Sequence, residues 1–459
     1  MFAAVFLLKA LELRRNERRT RAELETMQTA KLRRLAAFAY RRSPYYRDVM
    51  RARGMNPATC MVEQFPVLTK RDVLENFDSI VTNRRVTTDN VRAFLAKSKD
   101  PTERMAGRYH VLHTSGSSGE VGLFVYSGND WARGLAQVSR LHRIGGWRRR
   151  VAYFGAVNGH FGGVSIMSSA FYAVPRMLYD MLLCDINTPL APIVEQLNRF
   201  QPHMVGGYAT GLKILAEQQR AGRLRIAPVT LFSSGEPLGS DDRAMIERTF
   251  RARCLNVYAT TEHLFMGASA PDGRGIRLLE DDLIFELKPD CTYVTNLFNY
   301  TLPLIRYQLS DVLTALPVGA ANGPYRRINE VVGRSELVPW FRNEAGQLDF
   351  ISPLVIVELY VPGVRRFQME LVDERSFVFR YSVDSGLTAE ARSTARSALR
   401  AALADILSRK HMASVRFDLV AVDDIPIDPR TGKFKLIRTR FARYRKSGEK
   451  SVKNRGRNR

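Results

Sequence analysis

Residues 111–122, VLHTSGSSGEVG, set Thr114, Ser115, Ser117 and Ser118 around Gly116 and Gly119, directly after a run that reads as a strand. Glycines admit backbone conformations closed to other residues and let amides come close to an anion, while the hydroxyls add donors. Such a loop can cradle a phosphate. It is not a Walker loop, because no Lys-Ser or Lys-Thr follows the glycines. A plain surface loop has the same composition, so the decision rests on what lies downstream.

A chain of 459 residues exceeds what one hydrophobic core usually supports, and 45% apolar with 25% charged residues is ordinary globular usage. At least two unequal domains are expected. Cys60, Cys184, Cys254 and Cys291 stand far apart, which suggests neither a disulfide framework nor a metal pair, but scattered core thiols in a reducing compartment. Residues 2–8 form an apolar run ended by Lys9, too short to span a bilayer and without a preceding basic region. A cytoplasmic protein is expected. The opening helix is expected to pack on its own domain, with peripheral contact at a membrane surface as the alternative, and homodimerisation is left open. The net charge of +24 is partly carried by the tail 442–459, where eight basic residues face only Glu449. Basic charge suits a nucleotide, an acidic carrier protein or nucleic acid. No recognition-helix, finger or RNA-binding signature accompanies it, so no specific nucleic-acid partner is expected.

The elements that must position the loop follow from periodicity. Residues 11–42 read as helix, closed by SPYY at 43–46. From 116 to 311 apolar strands (RRVAYFGAV, HMVGGY, PVTLFSSG, CLNVYAT) alternate with helical stretches (IVEQLNRF, GLKILAEQQRAG, DDRAMIERTFRA), the pattern of an α/β layer with a largely parallel sheet. Such sheets bind ligands beyond the carboxyl ends of their strands. A β-rich stretch follows (DDLIFELKP, CTYVTNLFN, LPLIRYQLSDVLTAL), then a smaller unit with strands RRFQMELVD and SFVFRYSV, a helix from Ala389 to about Arg409 and a strand in SVRFDLVAV. The expected fold class is α/β: a large layered α/β domain with a β-rich subdomain (1–335), a small mobile C-terminal α+β domain (336–441) and a basic tail (442–459).

Five separated segments together resemble one family, the adenylate-forming enzymes that include acyl- and aryl-coenzyme A ligases, and within it the phenylacetate-coenzyme A ligase-like and capsule-biosynthesis-type members. They are HTSGSSGEVG (113–122), SSGEPL (233–238), YATTEH (258–263), PLIRYQLSD (303–311) with VVGRSEL (331–337), and PRTGKFKLIR (429–438). SPYYRDVM and FPVLTKRDVLEN look like the amino-terminal region of that subgroup. The resemblance covers nearly the whole chain apart from the tail.

That resemblance implies a role for each segment. Thr114, Ser115, Gly116, Ser117, Ser118 and Gly119 would hold the β- and γ-phosphates of ATP. Gly235, Glu236 and Pro237 would form a wall for adenine, with Tyr258 as the opposing aromatic face. Thr261 would contact the α-phosphate, and Glu262 would hold Mg²⁺ through a hard carboxylate oxygen. Asp311 would accept hydrogen bonds from the ribose hydroxyls, and Arg334 would meet ribose or phosphate as a forked donor. Arg306 and Tyr307 are weaker candidates. Lys433 would stabilise the charge built up as the α-phosphorus is attacked, with Lys435 its nearby rival. Glu336 stands at the family's hinge position, where relatives often have Asp. The stretch 154–163 with His160, and the next one with Tyr208 and Ala209, resemble acyl-pocket elements; His160 would orient the acid or the thiol, or is simply structural.

The implied cycle forms an acyl-adenylate and pyrophosphate from a carboxylic acid and ATP, then transfers the acyl group to a thiol, coenzyme A first in order of expectation. A carrier-protein phosphopantetheine or an amine remains the alternative acceptor, and a nucleotide-binding homologue with weakened catalysis the alternative class. The motive for the latter is the loop itself: many relatives have Pro and then Lys or Thr where this chain has Val121 and Gly122, and Glu120 brings negative charge towards the expected phosphates.

Overall fold

The structure is a computed structural model that describes residues 2–114, 122–141, 149–173, 179–270, 272–309, 311–317, 323–329, 337–357, 359, 361–384, 386–425 and 436–439. The helical opening is three helices rather than one: α1 (Phe2–Asn16), α2 (Arg21–Arg42) and α3 (Pro44–Ala52). The first break is made by a capping box, in which the Thr20 hydroxyl accepts from Glu23 N and the Glu23 carboxylate accepts from Thr20 N at 2.7 Å. Ser43 closes α2 and caps α3, and Pro44 stands in the first turn, where its missing N–H costs nothing.

Helix α1 is turned inside out. It buries Lys9, Leu13 and Asn16 while Leu7, Leu8 and Leu11 are 60%, 69% and 58% exposed. The reason lies 270 residues away in sequence, in the fully buried acids Glu280, Asp281 and Asp282. The ammonium groups of Lys9 and Lys31 each reach Asp282 Oδ1 at 2.7 Å, the Asn16 amide donates to Asp281 at 2.7 Å, and Arg21 reaches Glu280 at 2.8 Å. Arg140 pairs with Asp281 as well. Burial alone would raise the Asp282 carboxyl, but Lys31 and Lys9 hold it well below the usual carboxylate range. Its folded pKa thus lies below its unfolded one, so this contribution to stability is complete above the unfolded value of about 4 and disappears as pH falls.

Two compact units are present. In the larger, β1 (Tyr109–His113) and β2 (Leu123–Ser127) form an antiparallel hairpin. The main sheet contains β3 (Arg149–Gly155), β4 (Tyr179–Asp185), β5 (Met204–Gly207), β6 (Thr230–Ser233), β7 (Arg253–Thr260), β8 (Leu264–Ser269) and β9 (Ile276–Leu278). A separate three-stranded antiparallel sheet follows: β10 (Leu283–Leu287), β11 (Thr292–Asn296) and β12 (Tyr307–Gln308). A short β13 (Arg327–Ile328) returns to the edge of the main sheet, whose order is β13-β9-β8-β7-β6-β5-β3-β4. Strands β3, β5, β6 and β7 pair in parallel as the alternation predicts. The antiparallel extension by β8, β9 and β13 differs from the expectation of a largely parallel sheet: only the short connection at 261–263 separates β7 from β8, too short for a crossover helix.

The smaller unit contains β14 (Trp340–Arg342) paired with β15 (Leu348–Phe350), and a four-stranded sheet of β16 (Val364–Asp373), β17 (Ser376–Val383), β18 (Arg416–Ala421) and β19 (Ile437–Thr439), in the order β18-β17-β16-β19. Helix Ala389–Arg409 covers the predicted residues. Residues 185–196 belong to this unit, tied to it by Leu190 N donating to Asp349 at 2.8 Å and by Lys410 donating to Thr188 O at 2.8 Å. This architecture, a layered α/β domain with a β-rich part and a smaller α+β domain, is that of the adenylate-forming fold. Among the described residues no helix is long and apolar enough to cross a membrane.

Substituting Asp282→Ala removes the buried carboxylate that Lys9 and Lys31 share and leaves both on the more exposed Glu12; it is expected to lower the unfolding free energy by about 2–4 kcal/mol in urea titration. The exposed partner of Arg21, tested as Glu25→Ala, should change it by less than about 1 kcal/mol. Equal effects would show that the acids do not clamp the helices.

Candidate active site

The hairpin β1–β2 presents the glycine-rich segment from a closed neck. Thr114 N donates to Gly122 O at 3.0 Å, and Gly122 N donates to the Thr114 hydroxyl at 2.8 Å. Ser115, Gly116, Ser117, Ser118, Gly119, Glu120 and Val121 lie outside the described residues. Gly122 is required by close approach: a β-carbon there would stand 2.7 Å from the Phe124 ring and 3.1 Å from both Lys70 Cε and Thr114 Oγ1.

Lys70 is the functional candidate that motif reading missed. It opens the helix Lys70–Glu75 behind the Thr69 cap, and Leu68 is bridged to Tyr307 by Leu68 N donating to Arg306 O and Gln308 N donating to Leu68 O. This fixes an ammonium stem beside the neck of the loop. The signal was available in FPVLTKRD, a Thr-capped helix start beginning with Lys, but nothing local says where that helix points.

Tyr258, at the carboxyl end of β7, is nearly buried and donates its hydroxyl to Asp311 Oδ2 at 3.0 Å, so two motifs 53 residues apart meet. Burial first, then the Asp311 charge, pushes the phenol far above its ordinary range, and it stays a neutral donor. Beyond β7, Tyr126 of β2 donates to the carbonyls of Thr261 and Glu262 at 2.7 and 2.8 Å, and so holds that connection against the hairpin. Tyr307 donates to Glu262 Oε1 at 3.4 Å. Burial raises the Glu262 carboxyl, while Lys70, Thr260 and Tyr307 oppose this. A hard cation would restore the ionised form. Among the described residues no group of three or more His, Cys, Asp or Glu side chains could hold a metal. A lone carboxylate such as Glu262 is compatible with Mg²⁺, which commonly takes one or two carboxylates and completes its shell with substrate phosphates and water.

Gly235 has φ +78°, a conformation glycine adopts without strain, and it is exposed at the turn after β6. Glu236 and Pro237 are half-buried there, but the Glu236 carboxylate accepts from Thr210 N at 2.7 Å and caps the helix Ala209–Arg220. His160 is buried, with Nε2 2.9 Å from Ser98 Oγ and its ring against Phe94. The same segment runs past Thr261, since a β-carbon at Gly162 would lie 3.7 Å from Thr261 Oγ1. The two stretches expected to line an acyl pocket meet where Ala156 N donates to the Tyr208 hydroxyl at 3.4 Å. Arg306 is consumed structurally: its guanidinium is paired with Glu286 and donates to the carbonyls of Glu63 and Phe65. Arg334, Glu336, Lys433 and Lys435 lie outside the described residues; β19, which follows Lys433 and Lys435 in the chain, pairs in parallel with β16 through Met369 and Ile437.

The hairpin carries a buried histidine, His110, and a half-buried one, His113. Burial pushes His110, stacked on Trp131 at 4.5 Å, down to about 3, and His113 down to about 4. Unfolded histidine takes its proton near 6.5, so below that pH the unfolded chain binds more protons and stability falls as pH drops towards 3. His110→Phe keeps the stacking and should flatten the loss of unfolding midpoint between pH 6.5 and 4. An unchanged slope would show that His110 does not contribute to it.

No family model matches the chain. Protein CapK of Staphylococcus aureus is 23% identical over 314 residues, 64% of this chain and 64% of that protein, so the match spans less than two thirds of that relative's length. Phenylacetate-coenzyme A ligase of Escherichia coli K12 is 26% identical over 347 residues, 68% of this chain and 72% of that enzyme. Among solved structures, 2-hydroxyisobutyryl-CoA ligase with 2-HIB-AMP and CoA superposes with TM-score 0.61 at 18% identity, covering 96% of this chain and 94% of that one. An open form of the same ligase gives TM-score 0.56. The chain thus shares the fold of 2-hydroxyisobutyryl-CoA ligase and is similar in part of its sequence to CapK and to phenylacetate-coenzyme A ligase.

Proposed function

We propose that this protein activates a carboxylic acid with ATP, forming an acyl-adenylate and pyrophosphate, and then transfers the acyl group to a thiol, coenzyme A in the first instance. The observation that carries this reading is the Tyr258–Asp311 hydrogen bond at the end of β7, beside the Thr261–Glu262 connection that Tyr126 fixes to the hairpin. An aromatic face, a carboxylate for the ribose, a carboxylate for a cation and the two residues that flank the glycine-rich stretch, Thr114 and Gly122, are thereby gathered in one compact unit.

In this reading the carboxylate of the acid attacks the α-phosphorus and pyrophosphate departs. Tyr258 stacks against adenine, while Asp311 keeps one oxygen on Tyr258 and offers the other to the ribose hydroxyls. Glu262 would hold Mg²⁺, which supplies charge stabilisation when bound. Lys70, whose stem lies beside Gly122, would bring positive charge to the β- and γ-phosphates. Thr261 contacts the α-phosphate and Lys433 stabilises the charge developing on the transferred group and on departing pyrophosphate. Arg334 serves ribose or phosphate, Glu336 the hinge, and His160 positions the acyl segment through its contact with Ser98. The second half-reaction is supported by the named ligases: 2-hydroxyisobutyryl-CoA ligase is seen with 2-HIB-AMP and CoA in two structures, and the Escherichia coli relative is a coenzyme A ligase. Within the superfamily the phenylacetate-coenzyme A ligase-like and CapK-like members are the nearest fit to the motifs, and a cytoplasmic location follows from this chemistry and the scattered thiols.

The testing experiment is a screen of ATP–pyrophosphate exchange over aryl, short aliphatic, fatty and amino acids, with coenzyme A then added to the positive reactions and AMP release measured. Exchange with at least one class supports adenylation; none with any class supports a binding homologue. Lys433→Ala should lower ATP–pyrophosphate exchange by about two orders of magnitude or more with nucleotide affinity retained, and equal exchange would remove its role. Asp311→Ala should weaken ATP binding about tenfold or more in calorimetry, and unchanged affinity would remove the ribose assignment.

A further inference from the structure

A second cavity lies in the larger unit, away from the site described. Its volume is about 690 Å³, within the range of small-molecule sites, and its wall carries Arg41 and Arg42 from the end of α2, Arg47 from α3, and Arg84 and Arg85 from the turn before Val86. Among the described residues none of these five guanidinium groups is paired with a carboxylate. The buried Nε of Arg47 has no hydrogen-bond acceptor. The one acid in the wall, Asp130, does not offset them. Its carboxylate is taken up by the Ser127 and Thr301 hydroxyls at 2.6 Å each and by the amides of Ser127, Tyr300 and Thr301, with Arg133 at 3.6 Å.

Five like charges around one open cavity, four of them on exposed side chains, raise each other's energy, and the buried Arg47 donor without an acceptor costs further free energy. Both costs are removed by a ligand with several anionic oxygens, and planar guanidinium forks match phosphate in particular. We propose that this cavity binds a small polyanion bearing two or more phosphate groups. The hairpin separates it from the nucleotide site: Tyr109 and Ser127 pair at the cavity end and His113 and Leu123 at the loop end, four residues and about 13 Å along the strand. The proposal therefore does not depend on the adenylation reading.

The test is calorimetric titration of the full chain with inorganic pyrophosphate at low salt, for the parent and for Arg84→Gln/Arg85→Gln, whose two positions are exposed and tolerate change. ATP–pyrophosphate exchange is read in parallel and should stay at the parent rate. The double variant should lose one binding event or weaken it about tenfold or more. Arg41→Gln/Arg42→Gln gives an independent version should the first variant lose its fold. A second arm measures sedimentation with cardiolipin vesicles, whose headgroup carries two phosphates. Loss of vesicle binding in the variants without a pyrophosphate effect identifies a lipid headgroup as the phosphate source, and the reverse identifies a free ligand. Titration and sedimentation both unchanged by the two double substitutions would overturn the proposal.

Discussion

The hydrogen bond from Tyr258 to Asp311 is the constraint on which the candidate site depends. It joins the end of a parallel strand in the main sheet to the segment that follows the three-stranded sheet, and it can form only if both sheets are correctly built. The Tyr126 hydroxyl does the corresponding work on the other side, holding the Thr261 and Glu262 carbonyls against the hairpin. Both donors are buried phenols kept neutral by desolvation, so neither link weakens within the physiological pH range.

The larger unit also relies on its acids at 280–282, which draw two lysines, an asparagine and arginines out of water. This explains why a helix that begins FAAVFLL leaves its leucines outside: the paired polar face gains more from burial than three leucines lose by exposure, since an unpaired buried acid triplet would be untenable. The same distribution places much of the basic excess in defined roles. Lys9, Lys31, Arg21, Arg140 and Arg306 neutralise buried or half-buried acids, whereas the arginines around the second cavity have no such partner among the described residues.

Much of the architecture was legible in the sequence where a local rule governs it. Period-two apolar runs bounded by Gly, Pro and Ser located β3, β5, β6, β7, β16 and β17, and the 389–409 helix has a Thr cap and a long helix-forming run. What was missed depends on contacts distant in sequence. The inward turn of Lys9 requires knowledge of Asp282, the use of Arg306 requires Glu286, and the position of Lys70 beside Gly122 requires the bridge between Leu68 and Tyr307. The motifs named Tyr258, Thr261, Glu262 and Asp311, and the fold brings them into one unit. Glu236, by contrast, spends its carboxylate on a helix amino terminus, a use that SSGEPL alone does not reveal.

The most direct test of the central claim is a crystal structure of the chain with AMP bound. The account predicts adenine in van der Waals contact with the Tyr258 ring and both ribose hydroxyls on the Asp311 carboxylate. AMP bound elsewhere, with Asp311 contacting only Tyr258, would contradict it.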